Sequence, residues 1–180
     1  MSLPFDRARF DAVVSGLVLN FVPDAAAAVA EIARVTRPGG LFAAYVWDYG
    51  GEMQMMRRFW DEAVALDPAA AELDEGRRFG VSHPDRLRSI AQQAGFGAVA
   101  TRAIDITTRF KDFDDYWRPF LGGVGPAPDY VVSLTEERRA ALRERIRSKL
   151  RARADGTIPM LARAWAVRGV ARNEAHALHL

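Results

Sequence analysis

The sequence predicts an α/β domain organised around a parallel sheet. Two nearly uninterrupted apolar runs, Phe10–Ser15 and Leu41–Trp47, flank one amphipathic helical stretch with short connections, which is the pattern of a βαβ unit. The chain of 180 residues is 49% apolar, enough to bury a real core and far from the composition of a disordered chain.

Each element follows from local chemistry. Phe10-Asp11-Ala12-Val13-Val14-Ser15 reads as a short strand, and Leu17–Val22 carries the apolar run past Gly16 to Pro23-Asp24. Asp24 is suited to cap a helix, because its carboxylate can accept the orphan N–H groups of the first turn. From Ala25 to Arg37 the stripe Val29, Ile32, Ala33, Thr36 falls on one helix face. Pro38-Gly39-Gly40 stops that helix and turns the chain into the second strand. Because both strands are apolar throughout, a sheet covered on both faces is expected.

Asp48-Tyr49-Gly50-Gly51 reads as a turn and Glu52–Leu66 as a helix, broken at Asp67-Pro68; Ala69–Val81 is ambiguous. Ser82-x-x-Asp85 resembles a capping box opening a helix with Leu87, Ile90, Ala91 and Ala94 on one side, closed by Gly95. Ala98–Phe110 alternates as a strand. Residues from about 111 to 157 read as a helical insertion. Within it, a short helix from Asp112 ends at Gly122-Gly123, and Gly125-Pro126-Ala127-Pro128 is a loop. A long amphipathic helix then starts at Thr135, with Leu142, Ile146 and Leu150 four apart, and Asp155-Gly156 terminates it. Ile158–Val170 is a last strand, and the tail from Ala171 is expected to be loose.

Composition narrows the function. There is no cysteine, so a disulfide framework, a Cys-based zinc site and thiol catalysis are excluded. Basic and acidic residues number 25 and 23, a net charge that does not point to nucleic acid. No apolar stretch approaches the ~20 residues of a membrane span and no signal-peptide pattern opens the chain, so the expected compartment is the cytoplasm, with no membrane partner. His83, His176 and His179 share no metal-ligand spacing with acidic residues, and no metal is expected.

Phe10-Asp11-Ala12-Val13, then Pro23-Asp24, then Glu31-Ile32-Ala33-Arg34-Val35-Thr36-Arg37-Pro38-Gly39-Gly40 together resemble the middle of class I S-adenosylmethionine-dependent methyltransferases. The branch is that of the ubiquinone/menaquinone-type C-methyltransferases (methyltransferase type 11). Leu3-Pro4-Phe5 resembles the stretch just before the family's fourth strand. The later order of helix, strand, helical insertion and final strand also fits, so the resemblance covers most of residues 3–170. It implies a partial Rossmann-like sheet of the fourth to seventh strands, the seventh antiparallel, in a single incomplete domain over 1–180. The glycine-rich loop and the ribose-gripping acid that open cofactor binding in the family are not in this sequence, and the chain is read as beginning about three strands late. The Phe10–Ser15 strand would then have an open edge, through which the chain is expected to form homo-oligomers or pair with another polypeptide as a non-catalytic half-domain.

By position, the resemblance assigns Ser15, Gly16, Leu17 and Asn20 to the edge of the S-adenosylmethionine site. Trp47, Asp48 and Tyr49 follow the next strand at the end where ligands of open α/β sheets collect, and are candidates for the methyl-acceptor side. Tyr116 and Trp117 of the insertion are candidates for a cover over that acceptor, which is expected to be a small molecule. Met53, Met55, Met56, Phe59 and Trp60 could line an apolar pocket or form core. The eight basic residues from Arg138 to Arg153 are read as a solvated face diluted by Glu136, Glu137 and Glu144. No residue stands out as the catalytic base.

Overall fold

The computed structural model describes residues 2–122 and 124–172. Gly123, His176 and His179 therefore lie outside the described residues. Four strands form one sheet in the order β1-β2-β4-β3: β1 Phe10–Gly16, β2 Thr36–Trp47, β3 Phe96–Phe110 and β4 Ile158–Ala171. The first strand pairs with β2 in parallel, and β4 lies antiparallel on the other side of β2. The chain divides into two compact units, Met1–Trp47 with Gly80–Ile104 and Ala164–Leu180, and Asp48–Phe79 with Asp105–Arg163. Both β3 and β4 supply residues to each.

In the first unit, α1 (Ala25–Val35) begins where Asp24 accepts the Ala27 N–H at 2.9 Å. It ends at Val35, two residues before the predicted boundary, and Thr36–Gly40 already belongs to β2. The turn expected at Pro38-Gly39-Gly40 is a bulge inside that strand: Phe10 pairs with Thr36, whereas Ala12 pairs with Leu41. Gly40 is required there, since a Cβ would lie 2.8 Å from the Arg37 carbonyl and 3.0 Å from that of Asp11. The core gathers Val29 and Ile32 of α1 with Leu87, Ile90 and Ala91 of α4 (Pro84–Gln93) on Phe42, Ala44, Val46 and Val167. Phe42 stacks on Phe96 at 4.9 Å.

These helices pack on one face of the sheet, and the expectation of two covered faces is not met among the described residues. Register places Ala12, Val14 and Gly16 beside Leu41, Ala43 and Tyr45, which adjoin Val170, Arg168 and Ala166. On this second face Val14, Leu41, Tyr45 and Val170 are exposed, Val14 by 67%. Uniform apolarity matches both environments, so only the packing tells which face is covered.

The segment before β1 is fastened to α1. Glu31 accepts the Leu3 N–H at 2.7 Å and both Arg34 Nε and Nη2, while Arg34 Nη2 also donates to the Phe5 carbonyl. The Arg34 guanidinium, followed by the Leu3 N–H, holds the Glu31 carboxyl at about 2. A carboxyl depressed on folding contributes stability that is present above 4.5 and lost as pH falls toward 2. Thermal melting should therefore show Glu31→Gln below the native chain at pH 6, with the gap closing by pH 2. A gap independent of pH would remove Glu31 as its source.

The helix after residue 82 is capped differently from the expectation. His83 is the N-cap, its Nδ1 accepting the Asp85 N–H at 3.4 Å, and Ser82 closes a preceding 3-10 turn, Gly80–Ser82. Pro84 fixes the first helical residue, so the cap moves to the residue before it.

The second unit is helical apart from its β3 and β4 residues. It holds α2 (Gln54–Leu66), α3 (Glu75–Arg78), α5 (Phe113–Trp117), α6 (Pro126–Ser133) and α7 (Glu136–Lys149). Residues 125–128, expected as a loop, open α6 instead: Gly125 is its N-cap at φ +99° and both prolines fall in the first turn, where a missing N–H costs nothing. The α7 cap at Thr135 is as expected, its Oγ1 accepting the Arg138 N–H. The helix ends at Lys149, ahead of the Asp155-Gly156 stop that the sequence suggested. Its stripe Leu142 and Ile146 is fully buried with Phe59, Trp60, Tyr116, Phe120 and Val131. No helix among the described residues is long and apolar enough to cross a membrane.

Candidate functional site

At the C-terminal end of β1 the chain makes a tight exit. The Leu17 N–H donates to the Tyr45 carbonyl of β2 at 2.8 Å, and Leu17 sits at φ +57°, a left-handed backbone costing roughly 1–2 kcal/mol for a residue with a Cβ. Strain of this kind persists where surrounding contacts fix the turn. Gly16 is needed here for another reason: a Cβ would fall 2.6 Å from Tyr45 Oη. The Tyr45 ring thus lies over the Gly16 backbone on the open face of the sheet.

A 3-10 turn, Leu19–Phe21, follows directly. Its Asn20 is only 6% exposed, yet neither amide atom has a hydrogen-bond partner. Burying such a group unpaired costs about 1–3 kcal/mol. The turn packs against Gly80–Ser82, whose Ser82 Oγ is also buried and unpaired. Polar capacity is therefore concentrated beside the end of β1, while Val18 is exposed next to it. Ser15 is half-buried and faces the helix-covered side, in register with Ala44.

The sequence singled out Ser15, Gly16, Leu17 and Asn20, and the structure brings all four to this one exit. Tyr45 and Ser82 were missed. Tyr45 is one aromatic in an apolar strand, and Ser82 was read as a cap; neither carried a signal of its own.

The other predicted residues divide between the units. Trp47 ends β2 in the first, half-buried. Asp48 and Tyr49 belong to the second. Asp48 organises a turn: Oδ2 accepts the Glu52 N–H at 2.9 Å and its carbonyl accepts the Gly51 and Met53 N–H groups. Gly51 is matched to this, because a Cβ there would meet Asp48 Oδ2 at 2.6 Å. Tyr49 is buried against Phe79 with ring centroids 5.3 Å apart, and burial, then the charge of Glu75, pushes its hydroxyl up to about 12.

Tyr116 and Trp117 are buried as well. Tyr116 Oη donates to the Met55 carbonyl at 2.9 Å, and its ring packs between Phe110 and Phe120; Trp117 stacks with Phe113. Their rings and hydroxyl are engaged by the aromatic core of the second unit. Phe59 and Trp60 are fully buried in the same core, with Met55 and Met56 packed against it.

A buried charged cluster in the second unit was not foreseen. Arg57 donates from Nη1 to Asp74 Oδ1 at 2.7 Å and from Nη2 to Asp74 Oδ2 at 3.0 Å, and also reaches Asp61 and the Tyr49 carbonyl. Trp60 Nε1 donates to Glu75 Oε2 at 2.9 Å. Burial, with Asp74 adding to it, pushes the Glu75 carboxyl up against the opposing effect of the indole N–H. Asp74 and Glu75 fall in the stretch that sequence periodicity left ambiguous, and their partners lie 17 and 15 residues away.

Residues 1–44 match the family model described as a methyltransferase domain. The demethylmenaquinone methyltransferase of Roseiflexus castenholzii is 33% identical over 119 residues, 59% of this chain and 49% of that protein. The chain thus spans about half the length of that relative. Among solved structures, a candidate methyltransferase of Bacillus halodurans C-125 superposes with a TM-score of 0.57 at 14% identity, covering 96% of this chain and 74% of that one. The YcgJ protein of Bacillus subtilis superposes with a TM-score of 0.52 at 17% identity, covering 96% and 68%. At these identities the structural likeness speaks for the fold alone. Over its opening βαβ unit the chain is thus similar to a methyltransferase domain, and along nearly its whole length it shares the α/β fold of these two solved structures.

Proposed function

We propose that this chain is the portion of a methyltransferase that edges the methyl donor and positions a small-molecule acceptor, and that by itself it holds the donor weakly. The observation carrying this reading is the exit of β1, where Gly16, Leu17 and the buried, unpaired Asn20 amide meet at the end of a parallel strand pair. Ligands of open α/β sheets collect at that end of the strands. The named activity of the Roseiflexus relative supports a small-molecule acceptor.

The fit to S-adenosylmethionine is partial. Asn20 offers a donor and an acceptor to a polar group, and the exposed Tyr45 face suits a sulfonium cation. The sequence contains no Gly-x-Gly-x-Gly run of the kind that cradles the donor's carboxylate end in the family it resembles. Bound S-adenosylmethionine supplies an activated methyl group. This chain's residues would contribute alignment and exclusion of water, which is most of what such a transfer requires. Trp47 and Asp48 are assigned to the acceptor side, while Tyr49, Tyr116 and Trp117 are engaged in the packing of the second unit.

Calorimetry of the 180-residue chain with S-adenosylmethionine should show no micromolar binding, that is, less than about 8 kcal/mol of affinity. In NMR spectra with millimolar S-adenosylhomocysteine, amide shifts should centre on Ser15–Asn20 and Tyr45. Micromolar affinity would overturn the weak-binding reading, and shifts that avoid those residues would overturn the site. A second reading, a non-catalytic module that associates through β1, is favoured by that strand's place at the end of the sheet order.

A further inference from the structure

We propose that the second unit carries an anion site, separate from the methyl-donor edge, that takes the phosphate group of a small phosphorylated ligand. The groove has a volume of about 440 Å³ and lies between the first turns of α2 and the connection from α7 to β4. Arg58, Lys149 and Arg151 line it, with Gln54 beside them and Leu150 and Pro159 among the apolar residues of its wall. No acidic residue lines it.

The basic run of α7 gives these cations their meaning. Arg138 pairs with Asp67, Arg139 with Glu136, Arg143 with Asp114 and Arg145 with Glu62, while Arg147 lies 3.7 Å from both Asp114 and Glu144. That stretch is neutralised by its own protein. The pattern stops where the helix stops: Lys149 and Arg151, and Arg58 opposite them, have no acidic partner among the described residues. Gln54 is already engaged, its Oε1 accepting the Leu161 N–H and its Nε2 donating to Glu52. Glu52 and Asp61 border the neighbouring groove of about 370 Å³, which Arg58 also reaches, and Asp61 is held there by Arg57.

Helix ends do not supply the charge. Gln54 begins α2, whose N-terminus is positive, but Lys149 ends α7, whose C-terminus is negative, and the two oppose each other. The field of the groove is that of three side chains. Three monocations suit a phosphate dianion better than a single carboxylate. An Arg fork adds directional hydrogen bonds to phosphate oxygens, while Lys acts as a point charge.

The test is a titration of the full 180-residue chain with inorganic phosphate and with glycerol 3-phosphate at constant low ionic strength, followed by amide NMR shifts. Acetate serves as the anion control. Saturable shifts around Arg58, Lys149 and Arg151 are expected for both phosphates and not for acetate. Each of Arg58→Gln, Lys149→Gln and Arg151→Gln should weaken binding by roughly fivefold or more, and the triple variant should abolish saturation. Arg86→Gln, the same charge change in the first unit, should have no effect. All four positions are exposed, and unchanged thermal melting will show that the fold is intact. Saturable binding retained in the triple variant, or equal weakening by Arg86→Gln, overturns the site. Co-sedimentation with phosphatidylglycerol–phosphatidylcholine vesicles, without a saturable response to either free phosphate, overturns it in favour of a diffuse attraction to a lipid surface.

Discussion

Raising the concentration of the 180-residue chain through the micromolar range is expected to convert it from monomers to dimers and larger species, and Val14→Lys is expected to hold it as a monomer. The sheet order ends on β1, whose outer row of N–H and C=O groups pairs with no strand among the described residues. Such a row is a template for another strand. The strand is also bordered by apolar side chains, for Val14 is 67% exposed and shares its face with Leu41, Tyr45 and Val170. A second copy of the chain satisfies both features, adding a strand to the edge and covering the apolar face. Lysine at position 14 would put a charge into that contact, at a cost of about 1–3 kcal/mol, or roughly 5- to 160-fold in the dimer constant. Because Val14 points to solvent within the monomer, melting of the variant should be little changed. Light scattering across a concentration series decides the matter. A single monomeric mass at every concentration would refute this association.

Asp74→Ala is expected to destabilise the second unit by about 3 kcal/mol, the low end for breaking a buried pair, because the largely buried guanidinium keeps only the exposed Asp61 as counter-charge. Both Asp74 oxygens are engaged by Arg57, and Oδ1 also accepts the Gly76 N–H at 2.8 Å, which caps α3. The side chain of Asp74 is 5% exposed and that of Arg57 18%, so water can replace little of what is lost. Asp74→Asn keeps an acceptor for Gly76 and one for Arg57, and should lose less. The pair is costly to break but need not be a large net stabiliser. Combined Arg57→Met and Asp74→Leu should recover much of the loss, because no buried charge is left unpaired and Asp61 is exposed. Denaturant unfolding of the native chain, Arg57→Met, Asp74→Leu and the double variant checks this, and additive single effects would show that the two groups are uncoupled. The same cluster anchors the turn carrying Asp48, since Arg57 Nη1 also donates to the Tyr49 carbonyl at 3.3 Å. A Cβ at Gly76 would press on that carbonyl at 2.7 Å, so the approach of α3 depends on glycine there.

Some of this was legible in the residues. Asp24 fixes the start of α1 because its capping bond reaches only three residues ahead. Thr135 fixes α7 in the same way. The opening strand, helix and strand follow from apolar runs and their punctuation, and from these came the resemblance that the family match over residues 1–44 bears out. The prolines at 126 and 128 misled because a loop and a first helical turn tolerate proline equally. At Ser82, a spacing that suits a capping box also suits the His83 cap that Pro84 imposes.

The sequence alone determined the α/β class and the parallel first pair, because turns, caps and apolar periodicity act over a few residues, while Ser15–Asn20 were singled out by the family resemblance. Tertiary structure alone decided which face of the sheet is covered. It also decided that the Asn20 amide is left unpaired, that Arg57 meets Asp74, and that the arginines of α7 are neutralised as far as Arg147 while Lys149 and Arg151 are not. Those outcomes depend on partners up to 83 residues apart in the chain, as for Arg145 and Glu62, and a charge or amide has no value in the sequence until folding sets what stands beside it.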